Sequence, residues 1–402
     1  MNERFGLLRR WRGGAVGVIL LLALGYNFLL ALVNAHLHAV SAAHVMAFEG
    51  VLLAFALLLV AANWRAELTR WALMAAAVLA LFLLLSLFRS MIAPKMLRDM
   101  MLVAIFIALG IVTPRDSARR TLLLIHCIIV AVALIELLWP EHYGAAVGTQ
   151  SYLINTRGFD PDRFFDDSQL FNAVRPGDRF FLPALGWIRA SSIFLEPLSL
   201  GNYCAVAVLF IYFFWRDYRP ATRIFLVASW AFLLVASDGR FAGMISLLLL
   251  LGLPLFARLP AALAVLYLPM AVAAAEVFVW LSDTRPVEDT FGGRIARGMK
   301  RLNELTGWDL AGFSVPTPVL ADSGIAYLVM AQSLAGVLLF QLFVYFNPML
   351  KEARQRAMLH GVAFMYASSM LVSYSMLSIK TAALLWFAAG LVIARVERGV
   401  NS

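Results

Sequence analysis

Four short motifs carry side chains able to act on an anionic ligand. Arg189 and Glu196 lie in WIRASSIFLEPLSLGNY, Arg240 in SDGR, Arg294 and Arg297 in GGRIARG, and Asp322 in LADSGIAY. A guanidinium offers a planar fork of donors that matches two phosphate oxygens at once. A carboxylate shielded from water is a general base near neutral pH, because burial raises its pKa. Together these residue types suggest binding of an anionic ligand, such as a diphosphate, with a carboxylate as candidate general base. Each residue also has a plainer reading. Arginines at a membrane edge anchor by snorkelling. Glu196 could instead close an ion pair with Arg189 or Arg240, and Asp322 could cap the helix that follows it. Asp238 is expected to pair with its neighbour Arg240. Glu136 and Glu276 read as edge residues.

Other chemistries have no motif to stand on. There is no GxxxxGK[ST] loop for a nucleotide and no GxSxG elbow for a serine nucleophile. His36, His38 and His44 do not have zinc spacing and read as interfacial polarity. The acidic run DPDRFFDD lacks the glycine and the closing glutamate of a calcium loop and reads as a solvated face. Cys127 and Cys204 each sit inside an apolar run, where a thiol behaves as a small hydrophobe.

The elements that must position these residues follow from composition. Of 402 residues, 62% are apolar and 14% are charged. A soluble domain is nearer 45–50% and about 25%. A soluble globule, a disordered chain and a disulfide scaffold are excluded, leaving an all-α polytopic membrane protein. Twelve apolar runs approach the roughly 20 residues a spanning helix needs. They cover about 14–34, 42–62, 71–88, 96–112, 121–139, 193–214, 222–236, 242–256, 260–280, 322–346, 359–376 and 379–394. With the N-terminus in the cytoplasm, inner segments carry 18 of the 33 Lys and Arg residues. The short outer loops carry only five: Arg89, Lys95, Arg98, Arg240 and Lys380. This asymmetry predicts both termini inside, and it accounts for the net charge of +9 without nucleic acid as a partner.

The expected organisation is then five helices in 1–139, a large outer loop at 140–191, four helices in 192–280, a second outer loop at 281–321, and three helices in 322–402. The first loop, rich in Phe, reads as an ordered cap on the membrane surface. In the second, TFGGRIARGMKRLNEL places Ile295, Met299 and Leu302 on one helical face and Arg294, Arg297 and Arg301 on another. That pattern predicts an amphipathic interfacial helix, serving as a lipid anchor or as a diphosphate cradle.

The segments RASSIFLEPLSLGNY (189–203), SDGRFAGMISLLLLL (237–251), GGRIARG (292–298) and DSGIAYLVMAQSLAGVL (322–338) resemble the Wzy-like O-antigen polymerase and ligase superfamily, and among its members the exopolysaccharide polymerases. The likeness covers roughly 185–346. It implies a metal-independent glycosyltransferase of the bacterial inner membrane, without cofactor, that joins undecaprenyl-diphosphate-linked repeat units at the periplasmic face. It further implies that Arg189, Arg240, Arg294 and Arg297 hold the diphosphate and that Asp322 or Glu196 is the base. The lipid bilayer and the flippase and chain-length or export proteins of the same pathway become the expected partners. A ligase and a membrane transporter are the alternatives.

Overall fold

A computed structural model describes residues 2–165, 169–173, 188–282, 286, 290–315, 323–347 and 350–394. Among the described residues the fold is all-α apart from one two-stranded hairpin, β1 (Phe164–Phe165) against β2 (Leu170–Phe171). Each of the twelve apolar runs holds a helix. These are α1 (Asn2–His36), α2 (Ala42–Ala61), α3 (Thr69–Arg89), α4 (Pro94–Val112), α5 (Arg115–Leu138), α8 (Pro197–Phe214), α9 (Pro220–Ala236), α10 (Arg240–Phe256), α11 (Tyr267–Leu281), α14 (Gly324–Tyr345), α15 (Ala353–Met370) and α16 (Ile379–Ile393). Between them lie α6 (Pro140–Val147), α7 (Thr149–Arg157), α12 (Phe291–Asn303) and α13 (Gly307–Leu310).

Seven helical stretches among the described residues are long and apolar enough to cross a membrane: Gly13–His36, Ala42–Ala61, Ala66–Arg89, Arg115–Leu138, Pro197–Asp217, Ala261–Leu281 and Gly324–Tyr345. The protein is therefore a membrane-embedded helical protein. Helices α9, α10 and α16 are apolar but shorter. Helix α4 opens with Lys95, Arg98 and Asp99, and α15 carries Arg354 and Arg356 in its first turn, so neither is uniformly apolar.

The chain divides into two compact units. Unit 1 comprises Met1–Ala62, Thr113–Leu247 and Ile379–Ala383. In it α1 packs on α5 through small residues: a Cβ added at Gly13 would lie 2.5 Å from Ser117 Oγ. The described part of the first long loop is ordered. Tyr143, Val147, Tyr152, Leu153, Phe164 and Phe171 form a core of their own with Ala31 of α1 and with Leu195. Apolar burial of this size suffices to fix a loop that sequence polarity alone would leave open.

Unit 2 comprises Asn63–Val112, Leu248–Ser378 and Leu384–Ser402. Its closest helix crossing is α4 on α16. A Cβ at Gly110 would meet Phe387 O at 2.3 Å, and one at Gly390 would meet Ile107 O at 2.1 Å. Small residues let backbones approach where no hydrophobic drive separates helix from lipid. Helix α14 is broken at Ser333, whose φ of 63° and ψ of 163° are not helical. The buried Arg89 guanidinium donates to Met330 O, a carbonyl one turn before the break, and to Gly312 O at 2.7 Å. Irregular backbone at membrane depth is tolerated where protein groups satisfy it in this way.

Replacing Gly110 by Leu should therefore destabilise unit 2 by several kcal/mol, well beyond the usual 1–3 kcal/mol of overpacking, because backbone and not a flexible side chain is in the way. Thermal unfolding in detergent, followed by size-exclusion fluorescence, measures it. Gly14→Leu, where nothing lies within 4 Å of the added Cβ, should leave the midpoint unchanged.

Candidate functional site

In unit 1 the segment from Arg189 to Glu196 is held by backbone hydrogen bonds on both sides. Arg189 N–H donates to Ala173 O and Ala190 N–H to Ala236 O, each at 2.8 Å. The carboxylate of Glu136 accepts from the N–H groups of Ser191 and Ser192 at 2.8 and 2.6 Å. Ser192 Oγ donates to Ile129 O at 2.7 Å, and Ser192 O accepts from the Tyr143 hydroxyl at 2.9 Å. Glu136, two residues before the end of α5, is fully buried. Its neighbours are N–H groups that cannot reach water, and they explain the burial. This lattice keeps Ser192 and Leu195 in the left-handed region, at φ of 49° and 59°. Such non-glycine conformations cost about 1–3 kcal/mol each and persist where the surroundings over-determine them.

The same lattice brings two of the expected cations to one turn. Arg189 Nε donates to Ser237 O at 3.1 Å and lies 4.0 Å from Asp238 Oδ2. Arg189 is mostly buried, with a side-chain exposure of 12%. Arg240 follows on that turn. It is exposed, and its guanidinium has no hydrogen-bond or ion-pair partner among the described residues. Asp238 thus faces Arg189, while Arg240 meets it only through a backbone N–H to Asp238 O at 3.1 Å. The turn lies against α8, where Gly201 lets it approach: a Cβ at Gly239 would be 3.2 Å from Gly201 Cα.

Glu196 stands immediately before α8. Its Oε1 accepts from Arg157 at the end of α7, and its Oε2 from Lys380 in the first turn of α16 and from Ser199 Oγ at 3.1 Å. The expected partners, Arg189 and Arg240, are not the ones it takes. Burial by itself would raise the Glu196 carboxyl, but Lys380 and Arg157 beside it outweigh this and hold it at about 2. A carboxylate so stabilised is a weak proton acceptor at neutral pH. Nearby, the Tyr26 hydroxyl donates to Glu49 at 2.6 Å and the Tyr152 hydroxyl to Asn27 at 2.7 Å. A second polar junction lies deeper, where His126 of α5 meets the Tyr203 hydroxyl through Nδ1 (2.7 Å) and Ser229 Oγ through Nε2 (2.8 Å). Ser229 spends its proton on Phe225 O, so the tautomer protonated at Nε2 satisfies all partners.

In unit 2, Arg294 and Arg297 lie on α12, the helix expected from the sequence. Thr290 caps it by accepting from Gly293 N–H at 3.0 Å. Its apolar face is used against protein, with Ile295 and Met299 packed on Ala275 of α11 and beside Leu371 and Val372. Arg294 is exposed and Arg297 half-buried. Asp322 lies outside the described residues. The N-cap of α14 is Ser323, whose hydroxyl accepts from Ala326 N–H at 3.4 Å and donates to Gly298 O of α12 at 3.1 Å. At the start of α4, the buried Asp99 accepts from the Tyr327 hydroxyl at 2.6 Å and pairs with Arg98 at 2.5 Å.

The sequence reading missed Arg157, Lys380, Glu49, Glu136 and Asp99. For Glu49 a signal existed, since a lone carboxylate inside an apolar run marks a place where a partner must be found. Comparison with protein-family models, with curated proteins and with solved structures finds no match.

The depressed Glu196 carboxyl makes a signed prediction. Its contribution to stability is fully present above the unfolded value of about 4.3 and is lost as pH falls toward about 2. The acid limb of thermal unfolding should therefore be shallower in Glu196→Gln than in the wild type. Glu196→Gln, which leaves both cations of the trio without their carboxylate, should cost roughly 3–5 kcal/mol at neutral pH.

Proposed function

We propose that this protein is a glycan polymerase that joins lipid-diphosphate-linked repeat units at the outer face of a bacterial inner membrane, with twelve spans and both termini in the cytoplasm. The observation that carries the reading is the convergence of Arg189 and Arg240 on one turn, with Arg189 fixed by the backbone and Arg240 exposed. A fixed guanidinium and an exposed one at the same turn suit an anion whose charge grows during reaction. The resemblance of residues 185–346 to the Wzy-like superfamily supports the same reading.

In the proposed reaction a hydroxyl of the acceptor sugar attacks the anomeric carbon of the donor glycan. The bond from that carbon to the diphosphate oxygen breaks, and the diphosphate leaves with the electron pair. Arg189 and Arg240 take up its charge, and the resemblance implies the same role for Arg294 and Arg297. The acceptor proton passes to a carboxylate. Asp322 is the better candidate, because Glu196 is already committed to Arg157 and Lys380. Glu196 is then a positioning residue that fixes the start of α8. The flippase and the chain-length or export proteins of the pathway are the proposed partners.

The break in α14 at Ser333 favours a second reading, since interrupted helices at membrane depth are a feature of transporters. Here the Met330 carbonyl beside the break is taken by Arg89, a side chain of the protein itself. A ligase that passes the finished glycan to another acceptor would use the same site chemistry.

Purified protein in liposomes, given the lipid-linked repeat unit, should yield a ladder of oligomers. Arg240→Ala should cut the rate by about 10²-fold or more, in line with loss of one charge-stabilising donor, without changing the unfolding midpoint. Asp322→Asn should abolish joining, and Glu196→Gln should lower it less. Transfer only to an added second acceptor would make the protein a ligase. Absence of any bond formation with competent substrate would replace the polymerase by a transporter.

A further inference from the structure

The amphipathic pattern of α12 marks it as the part of the second long loop that would hold to a bilayer, yet its apolar face is spent on α11. The residues that follow α12 offer a different apolar surface. They belong, with everything they touch, to unit 2.

Thr306 opens α13 with a capping box, its N–H and its hydroxyl each 2.7 Å from the Asp309 carboxylate. The chain then turns at Gly312, whose φ of 79° is a glycine conformation, and Phe313 N–H donates back to Trp308 O at 2.9 Å. This turn brings two rings together. Trp308 and Phe313 are 5.6 Å apart, and Phe313 rests on Phe88 of α3 at 4.5 Å. Trp308 is 69% exposed and Phe88 59%. On α3, Phe88 continues an exposed strip formed by Leu83, Leu84 and Leu87, in a stretch long and apolar enough to cross a membrane. The aromatic patch is thus continuous with the lipid-facing side of a span.

Its depth is fixed by two contacts. A Cβ at Gly312 would lie 3.1 Å from Ser333 Cβ and 3.2 Å from Leu85 Cδ1. Ser333 stands nine residues beyond Gly324, about 14 Å along α14. The buried Arg89, last residue of α3, also donates to Gly312 O at 2.7 Å. The turn is therefore fastened below the start of one spanning helix and at the end of another, and does not stand clear of them. Neighbouring charges balance: Glu304 lies 3.0 Å from Arg301 and 3.9 Å from Lys300, and Asp309 is held by Thr306. What remains exposed is an indole with an apolar body and one N–H, the side chain that favours the boundary between lipid and water.

We propose that residues 306–313 are seated in the bilayer interface, with Trp308 and Phe313 among the lipid, and that this turn, and not α12, fastens the second long loop to the membrane. The occupant of the patch is the lipid–water boundary itself, whatever the headgroup charge. Continuity with the exposed strip of α3, the depth set by Ser333 and the balanced charges argue for it. The inference is independent of glycan joining, and its test reads lipid contact and stability only.

The test is fluorescence quenching of the full-length protein in phosphatidylcholine liposomes. The chain has ten tryptophans, so the share of Trp308 is the difference between wild type and Trp308→Phe. Lipid brominated near the headgroup end of its acyl chains should quench that share at least about twofold more than lipid brominated near the chain ends, as an interfacial indole requires. Acrylamide in the water should quench it weakly, and adding phosphatidylglycerol should change neither result. Quenching by acrylamide but not by brominated lipid would put the turn in water and overturn the proposal. Shielding from both would mean that protein, such as a second copy of the chain, covers Trp308, and would overturn it too. A second readout is the unfolding midpoint in liposomes. Trp308→Asp should lower it and Trp308→Leu should not, since a charge is costly in lipid but tolerated at a water-exposed position. Equal midpoints for the two variants would count against the bilayer as occupant.

Discussion

A carboxylate in an apolar surrounding must find a partner, and unit 1 is built around how its carboxylates do so. Glu196 takes two cations, Glu49 a tyrosine hydroxyl, and Glu136 two backbone N–H groups. Each solution ties together parts of the chain that are far apart in sequence. Arg157, Glu196 and Lys380 come from the end of α7, the start of α8 and the start of α16. Desolvating one charge costs several kcal/mol, and only a well-placed opposite charge recovers it. The trio therefore makes the three helix ends cooperative, since no one of them can shift without exposing the others to that cost. The same demand recurs in unit 2, where Asp99 is satisfied by Arg98 and Tyr327.

Once these anchors are set, the backbone between them can hold conformations it would not choose. The stretch from Ser192 to Leu195 carries two non-glycine residues at positive φ. It is kept there by Glu136, by Tyr143 and by the carbonyl of Ile129. The same stretch delivers Arg189 on one side and Glu196 on the other. Strain of this kind is stored where geometry must not relax, and here it fixes the spacing between a cation turn and an ion trio. The break in α14 follows the same logic with the charge reversed, a buried guanidinium serving a carbonyl near an interruption in the helix.

Local pattern made much of this legible. Apolar runs became helices because twenty apolar residues in a row leave the backbone no partner but itself. The faces of α12 followed from spacing, with Ile295 and Met299 buried as the 3.6-residue period requires. Pairing across the fold was not legible in the same way. Glu196 was matched to Arg189 and Arg240 because they are near in sequence or in topological depth, whereas its partners lie 39 and 184 residues away. Periodicity likewise does not show the two N–H groups that Ser191 and Ser192 turn toward Glu136. Ser323 caps α14 with its own hydroxyl, and the same hydroxyl reaches Gly298 O of α12, a contact that no local pattern shows.

The distinction that matters for function is between cations that have spent their donors and cations that have not. Arg89 is buried and gives its guanidinium to two backbone carbonyls, so it is structural. Arg189 gives N–H groups to Ser237 O and Asn172 O and lies beside Asp238, contacts that hold its orientation. Arg240 is exposed beside it on the same turn. A ligand that gathers charge during reaction gains most from donors already oriented, since nothing must reorganise at the moment the bond breaks. It also needs one donor able to follow the departing group. Arg189 offers an oriented donor, and Arg240, exposed at the same turn, an accessible one.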